Sequence, residues 1–155
     1  MDGEVLLDTN VFINALAGRG PPELRMLLAD LPEAFVSGPT IAELNWPKGR
    51  LDPAHPNTGR VLLRLDQTLA RIDPAKVLTP SPGQWARAGE LAGEAARGVA
   101  GGTRSIRTAF DRIELVNDAA TAVVALDRGL TVVTQDGDFD LFLQRAPGLR
   151  VLFYD

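Results

Sequence analysis

Cysteine is absent from the 155 residues, which removes disulfides, thiolate metal ligands and cysteine nucleophiles together and suits a reducing compartment. Histidine is nearly absent. The only one, His55, lies in the turn-like "DPAHPN", where a solvated loop residue is expected, so a histidine zinc site and histidine-based ribonuclease chemistry are disfavoured. Lysine is scarce as well: of 16 basic residues only Lys48 and Lys76 are lysine. Arginine's planar fork suits phosphate, although GC-rich codons give the same bias. No apolar run approaches the ~20 residues that span a bilayer. The start, "MDGEVLLDTN", carries acids where a signal peptide would carry basic residues, so no membrane association and a cytoplasmic location are expected. The net charge of -4 argues against coating nucleic acid through bulk electrostatics, but not against a nuclease whose acids hold metal ions.

What is present is ordinary for a globular chain, 45% hydrophobic and 23% charged. A chain of this length forms one domain, here 1–155, and buries roughly 70% of its unfolded surface. Val5 to Leu7 reads as a short strand ending at Asp8, followed by a helix start in "TNVFINAL". Leu24, Leu27, Leu28 and Leu31 have helical spacing. "AFVSG" is a second strand, and "PTIAELNW" has proline in a first helical turn. Pro47 to Pro56 reads as a loop, Gly59 to Ile72 as a helix, "AKVLTPSP" as a brief strand, and Trp85 to Val99 as a helix with a small-residue face. A glycine loop, "RGVAGGTRS", precedes a helix over Ile113 to Leu126 closed by Gly129. "LTVV" is a strand, "DLFLQRA" a short helix and "RVLFY" a last strand. Short strands apolar on both sides, alternating with helices, predict a parallel sheet of about five strands covered by helices on both faces.

In such a sheet, ligands collect outside the carboxyl ends of the strands, where strand order reverses. Asp8 ends the first strand and Asp136 lies just past "LTVVT", so two acids belong at that edge. Two more, Glu43 and Asp118, sit on predicted helices among apolar neighbours. Taken singly, Glu43 reads as a solvated helix position and Asp118 equally well as a helix N-cap. Converging carboxylates, however, would raise one another's pKa unless a cation neutralised them. The matching cations are Mg²⁺ and Mn²⁺, hard and oxygen-loving, and such a site most often handles phosphates.

The motifs "LLDTNVFI", "TIAEL", "NDAATAVVAL" and "DRGLTVVTQDGDF" resemble those of the PIN-domain nuclease family, in particular the VapC-type toxins of toxin–antitoxin pairs. The resemblance runs from the first strand to Phe139, and the first and last motifs are the specific ones. It implies a three-layer α/β fold and a metal-dependent endoribonuclease with Mg²⁺ or Mn²⁺ as cofactor. It also implies an RNA substrate and a small antitoxin as partner. By the resemblance, Asp8, Glu43, Asp118 and Asp136 are the catalytic acids, with Asp8, Asp118 and Asp136 as metal ligands. Glu43 and Asp138 stand as further candidate ligands. Thr9, Asn10 and Thr134 match supporting polar positions. Asp136 and Asp138 are able to exchange roles, Asp136 being preferred as nearer the strand end, with Asp138 then an outer residue or a loop cap. Asp140 reads as a helix start, where the dipole favours negative charge.

The remaining candidates carry two readings each. Arg60 and Arg64 share a helix face with Gln67 and Arg71, and are either RNA contacts or a solvated face. Arg97, Arg104 and Arg107 flank the glycine loop, as an RNA or antitoxin clamp or as mobile loop residues. Trp46 and Trp85 read as core or interface aromatics rather than base-stacking platforms. Apolar helices near the N-terminus and at Trp85 suit a homodimer or an antitoxin groove. Other classes fit worse. A haloacid-dehalogenase-type phosphatase needs a second Asp where Asn10 stands, and a receiver domain needs a central phosphoacceptor Asp and a late lysine. A non-catalytic PIN-like binding module and a DNA-directed nuclease of related fold stay open.

Overall fold

The computed structural model describes residues 3–99 and 108–154. Arg104 and Arg107 therefore lie outside the described residues. The strands are β1 (Val5–Leu7), β2 (Phe35–Ser37), β3 (Val77–Leu78), β4 (Thr131–Thr134) and β5 (Arg150–Phe153). They form one parallel sheet in the order β3-β2-β1-β4-β5. The chain builds outward from β1 through β2 to β3, then crosses back to place β4 on the other side of β1. Strand order thus reverses between β1 and β4, which are paired at Leu6 with Val132 and Leu7 with Val133.

Successive side chains on a strand point to opposite faces, and the buried residues follow this alternation. Leu6, Phe35 and Val132 enter one core layer with Ala119, Phe139 and Phe142, whereas Leu7, Val36 and Val133 enter the other with Phe12, Leu24 and Leu65. The second layer is covered by α1 (Thr9–Leu16), α2 (Pro22–Ala29), α3 (Gly38–Arg50) and α4 (Thr58–Leu69). The first is covered by α5 (Pro82–Val99), α6 (Ala109–Arg128) and α7 (Phe139–Leu143). Alanines of α5 and α6, among them Ala88, Ala92, Ala119 and Ala122, are buried in that layer, and such short side chains let two helix backbones approach closely. This is the three-layer α/β architecture the alternating pattern predicts.

Three local expectations change. The segment from Pro47 is not wholly a loop, because α3 continues to Arg50. Proline removes one helical N–H, but the ladder resumes with Leu51 N–H donating to the Pro47 carbonyl at 3.0 Å. Lys48 ties that last turn to Asp66 of α4 at 2.6 Å. Helix α6 starts earlier than its apolar periodicity suggests, because Thr108 and Asp111 form a capping box. Strand β5 is an edge strand rather than one buried on both faces, and Leu152 and Phe153 are each 39% exposed. Among the described residues no helix is long and apolar enough to cross a membrane.

Candidate metal centre

The sheet positions the first acid directly. Asp8 follows β1 at its carboxyl end and caps α1, its Oδ1 accepting from Thr9 N–H at 2.8 Å. Its Oδ2 accepts from the hydroxyl of Thr134, the last residue of β4, at 2.7 Å. Thr134 is fully buried and works in two directions, since its Oγ1 also accepts from Asp136 N–H at 2.9 Å. One hydroxyl therefore joins the acid after β1 to the acid after β4, across the point where strand order reverses. Asn10 reinforces the join, accepting from Gln135 N–H at 3.2 Å and donating to Thr134 Oγ1 at 3.4 Å.

The loop after β4 then folds its second acid into the same place. Asp136 Oδ1 accepts from Asp138 N–H at 2.9 Å, the two-residue reach by which an Asp side chain builds a turn. Carboxylate oxygens of Asp118, Asp136 and Asp138 lie within 4.8 Å of one another. Both Asp136 and Asp138 thus lie beside Asp118. Asp138 does not act as a loop cap, for its side chain makes no capping hydrogen bond to α7. Asp118 is no N-cap either: it sits in the middle of α6, ten residues beyond the Thr108 cap. Asp140 is exposed in the first turn of α7, as a helix-start acid should be.

Glu43 on α3 is held beside this group from two sides. Thr9 Oγ1 donates to its Oε2 at 2.6 Å, and Asn117 Nδ2 donates to its Oε1 at 3.1 Å. Asn117, the residue before Asp118, carried no signal as a separate site residue in the sequence. Behind Glu43 runs a buried chain of hydroxyls, Thr9 to Thr40 (3.2 Å), Thr40 to Ser37 (3.0 Å) and Ser37 to Thr121 (2.8 Å). It links α1, α3, the end of β2 and α6 around the same edge. Of its members only Thr9 is singled out by the sequence; Ser37, Thr40 and Thr121 lie in "SGPT" and "NDAATA".

The electrostatics are those of a site built against its own charge. Burial pushes the Asp118 carboxyl up to about 9, with the negative charges of Asp8, Asp136, Glu43 and Glu114 adding to the effect. Burial also pushes Asp8 up to about 6, the bonds from Thr134 and Thr9 opposing and the charges of Glu43 and Asp136 adding. Desolvation and like charge both disfavour the ionised form, and a bound cation removes both penalties. The donor set fits a hard divalent ion, being carboxylate oxygen with neither imidazole nor thiolate.

Other sequence candidates fall elsewhere. His55 is exposed, its Nδ1 accepting from Asn57 N–H at 3.2 Å within its turn. Trp46 is 65% exposed and Trp85 39%, so neither is a core residue. Arg60 donates to Asn57 Oδ1 at 3.0 Å, and Arg64 faces a cleft with Gln67 and Arg71. Arg97 is exposed near the end of α5.

The strand order and the acids collected at its reversal define the class: an α/β protein with a carboxylate centre suited to a divalent cation. The PIN domain matches residues 5–142, and the chain belongs to the PIN-domain family. Three solved structures show the same fold. The DNA-bound VapBC of Salmonella typhimurium is 23% identical, with 98% of each chain covered and a TM-score of 0.65. FitAcB of Neisseria gonorrhoeae is 24% identical, with 96% of each chain covered and a TM-score of 0.65. VapBC-5 of Mycobacterium tuberculosis, a member of the VapBC family of toxin–antitoxin systems, is 22% identical, covering 97% of this chain and 98% of its own, with a TM-score of 0.58. Among curated proteins none matches the chain.

Proposed function

We propose that this chain is a metal-dependent endoribonuclease, the toxin of a cytoplasmic toxin–antitoxin pair, acting as a homodimer and restrained by a small antitoxin protein. The observation that carries the reading is the gathering of Asp118, Asp136 and Asp138 within 4.8 Å, beside Asp8, at the switch point of the sheet. The partner assignment is supported by the similar structures, which are of VapBC and Fit assemblies.

In this reading Asp8, Asp118, Asp136 and Asp138 would hold Mg²⁺ or Mn²⁺, which when bound supplies charge neutralisation for the phosphoryl oxygens. Thr134 aims Asp8 and favours its ionised form by donating to it, opposing the effect of burial. Glu43, with Thr9 and Asn117 donating to its two oxygens, orients the attacking water and takes its proton. A new bond forms between water oxygen and phosphorus while the bond from phosphorus to the 3′ oxygen breaks. The bonding pair leaves on that oxygen, which takes up a proton, giving a 3′-hydroxyl and a 5′-phosphate. Arg60 and Arg64 contact RNA phosphates.

Incubation with end-labelled RNA is expected to give 5′-phosphate products in Mn²⁺ and none in excess EDTA. Cleavage that persists in EDTA, or in Asp8→Ala, overturns the reading. Asn117→Ala tests the water-orienting role. A hydrogen bond to a charged group contributes about 1.5–3 kcal/mol, so kcat should fall by about 10- to 100-fold. The Mn²⁺ concentration giving half-maximal rate should stay within about twofold, because Asn117 is not a ligand; a shift in metal requirement with kcat intact contradicts the role.

A further inference from the structure

On the face away from α6, helices α1, α2 and α4 border a cleft of two adjoining cavities, of about 480 and 570 Å³, which share Ala15, Gly18 and Arg71. Arg64 and Gln67 line one cavity, Arg19 and Arg25 the other, and among the described residues no Asp or Glu lines either. All four arginines are exposed. Among the described residues none of Arg19, Arg25 and Arg64 is ion-paired with a carboxylate, although the chain carries 20 acidic residues and a net charge of -4. Arg71 is anchored, its Nη2 donating to the carbonyls of Leu28 at 2.6 Å and Ala29 at 3.3 Å. A concentration of unpaired cations in an acidic protein is the counterpart of the carboxylate cluster, and it too is relieved by a ligand of opposite charge.

We propose that this cleft seats the phosphates of single-stranded RNA, as a basic track leading to the acidic centre; the proposal rests on the endoribonuclease reading. A polyanion approaching Asp8, Asp118, Asp136 and Asp138 is repelled by them, and cations flanking the centre offset that repulsion. Helix α1 connects the two regions. Rising 1.5 Å per residue, it spans roughly 10–12 Å from Thr9 to Leu16, so the cleft opens about one short helix from Asp8. Midway, Asn14 donates to Gln135 of the acidic loop. Guanidinium forks match phosphate oxygens in pairs, and non-specific single-strand binding uses a positive groove that follows the backbone. Phosphate is favoured over an acidic protein segment because four arginine guanidiniums border the cleft and its neutral polar lining is confined to Gln67 and Thr68. The cations are also spread along two helices and a loop, as a repeating chain of charges requires.

The test uses the full chain and a fluorescein-labelled 20-nucleotide single-stranded RNA in EDTA, with anisotropy read across a series of salt concentrations. Arg25→Glu with Arg64→Glu is expected to raise Kd at least about tenfold and to lower the salt slope by roughly 0.7 for each phosphate no longer neutralised. Arg112→Glu with Arg150→Glu makes the same charge change elsewhere and is expected to leave Kd within about twofold. The proposal is overturned by an unchanged Kd and slope in the cleft variant, by an equal weakening in the control pair, or by loss of polyglutamate binding with RNA binding intact. Mn²⁺-dependent hydrolysis of bis(p-nitrophenyl) phosphate by the unaltered protein reports the acidic centre alone. Such activity without RNA binding removes the cleft proposal only, whereas RNA binding through the cleft without such activity removes the nuclease reading and leaves the cleft.

Discussion

Asp118→Asn is expected to lower Mn²⁺-dependent RNA cleavage by about 10³-fold, equivalent to roughly 4 kcal/mol of transition-state stabilisation, while making the metal-free protein more stable. Both effects follow from one placement, a half-buried carboxyl mid-helix facing the charges of Asp8, Asp136, Glu43 and Glu114. The unfolded chain ionises Asp118 near 3.8, but the folded chain holds its proton up to about 9. Its penalty to folding is therefore absent below the unfolded value and grows as pH rises through the interval. The amide has nearly the same shape and no charge to desolvate, so the stability gain should be negligible near pH 4 and largest near pH 9. Thermal melts of both proteins in EDTA across that range check it, each kcal/mol moving Tm by roughly 2–4 °C in a chain this size. A variant less stable than its parent at pH 8 would count against the buried, charge-crowded placement. Sites that bind cations carry this kind of stored cost, and removing it trades activity for stability.

Phe139→Ala should have the largest effect on the fold. Phe139 is fully buried, meets Phe142 edge-on with ring centroids 5.5 Å apart, and directly follows Asp138. Truncating a buried aromatic costs about 3–5 kcal/mol, a large share of the roughly 5–15 kcal/mol that holds a typical domain together. The loop carrying Asp136 and Asp138 loses its anchor at the same time. Urea denaturation should show the midpoint falling sharply, and the Mn²⁺ requirement for cleavage should rise in the folded fraction. A drop in stability with an unaltered metal requirement would mean that the acidic loop is held by its own turn and not by the core beneath it.

The placement of Asp8 and Asp136 is legible in the sequence because strand ends can be read from where apolar runs stop, and parallel α/β sheets put those ends on one edge. The sheet and its two helical layers are legible for the same reason. What cannot be read is set by contacts between distant residues. Asn117 and Glu43 are 74 residues apart, so nothing local marks Asn117 as a donor to that carboxylate. Distance from the strand gives Asp138 the lesser role, yet the turn closed by Asp136 Oδ1 brings it into the cluster. The Asp118 position is ambiguous between cap and site until the capping box at Thr108 fixes the start of α6. Pro47 reads as a helix breaker, yet the backbone ladder resumes after it, with Leu51 N–H donating to the Pro47 carbonyl. Trp46 and Trp85, apolar by type, are left at the surface, which their residue type alone does not announce.

The central claim is that these carboxylates form a cation site, and calorimetric titration of the metal-free protein with Mn²⁺ at pH 7 tests it most directly. Run in two buffers of different ionisation enthalpy, the titration should show saturable binding with release of about one proton, because Asp118 is protonated at that pH without a cation and must ionise to ligate one. In Asp118→Asn the proton release should vanish and the affinity should fall. Absence of binding, or binding with the same affinity and proton count in both proteins, would contradict the account.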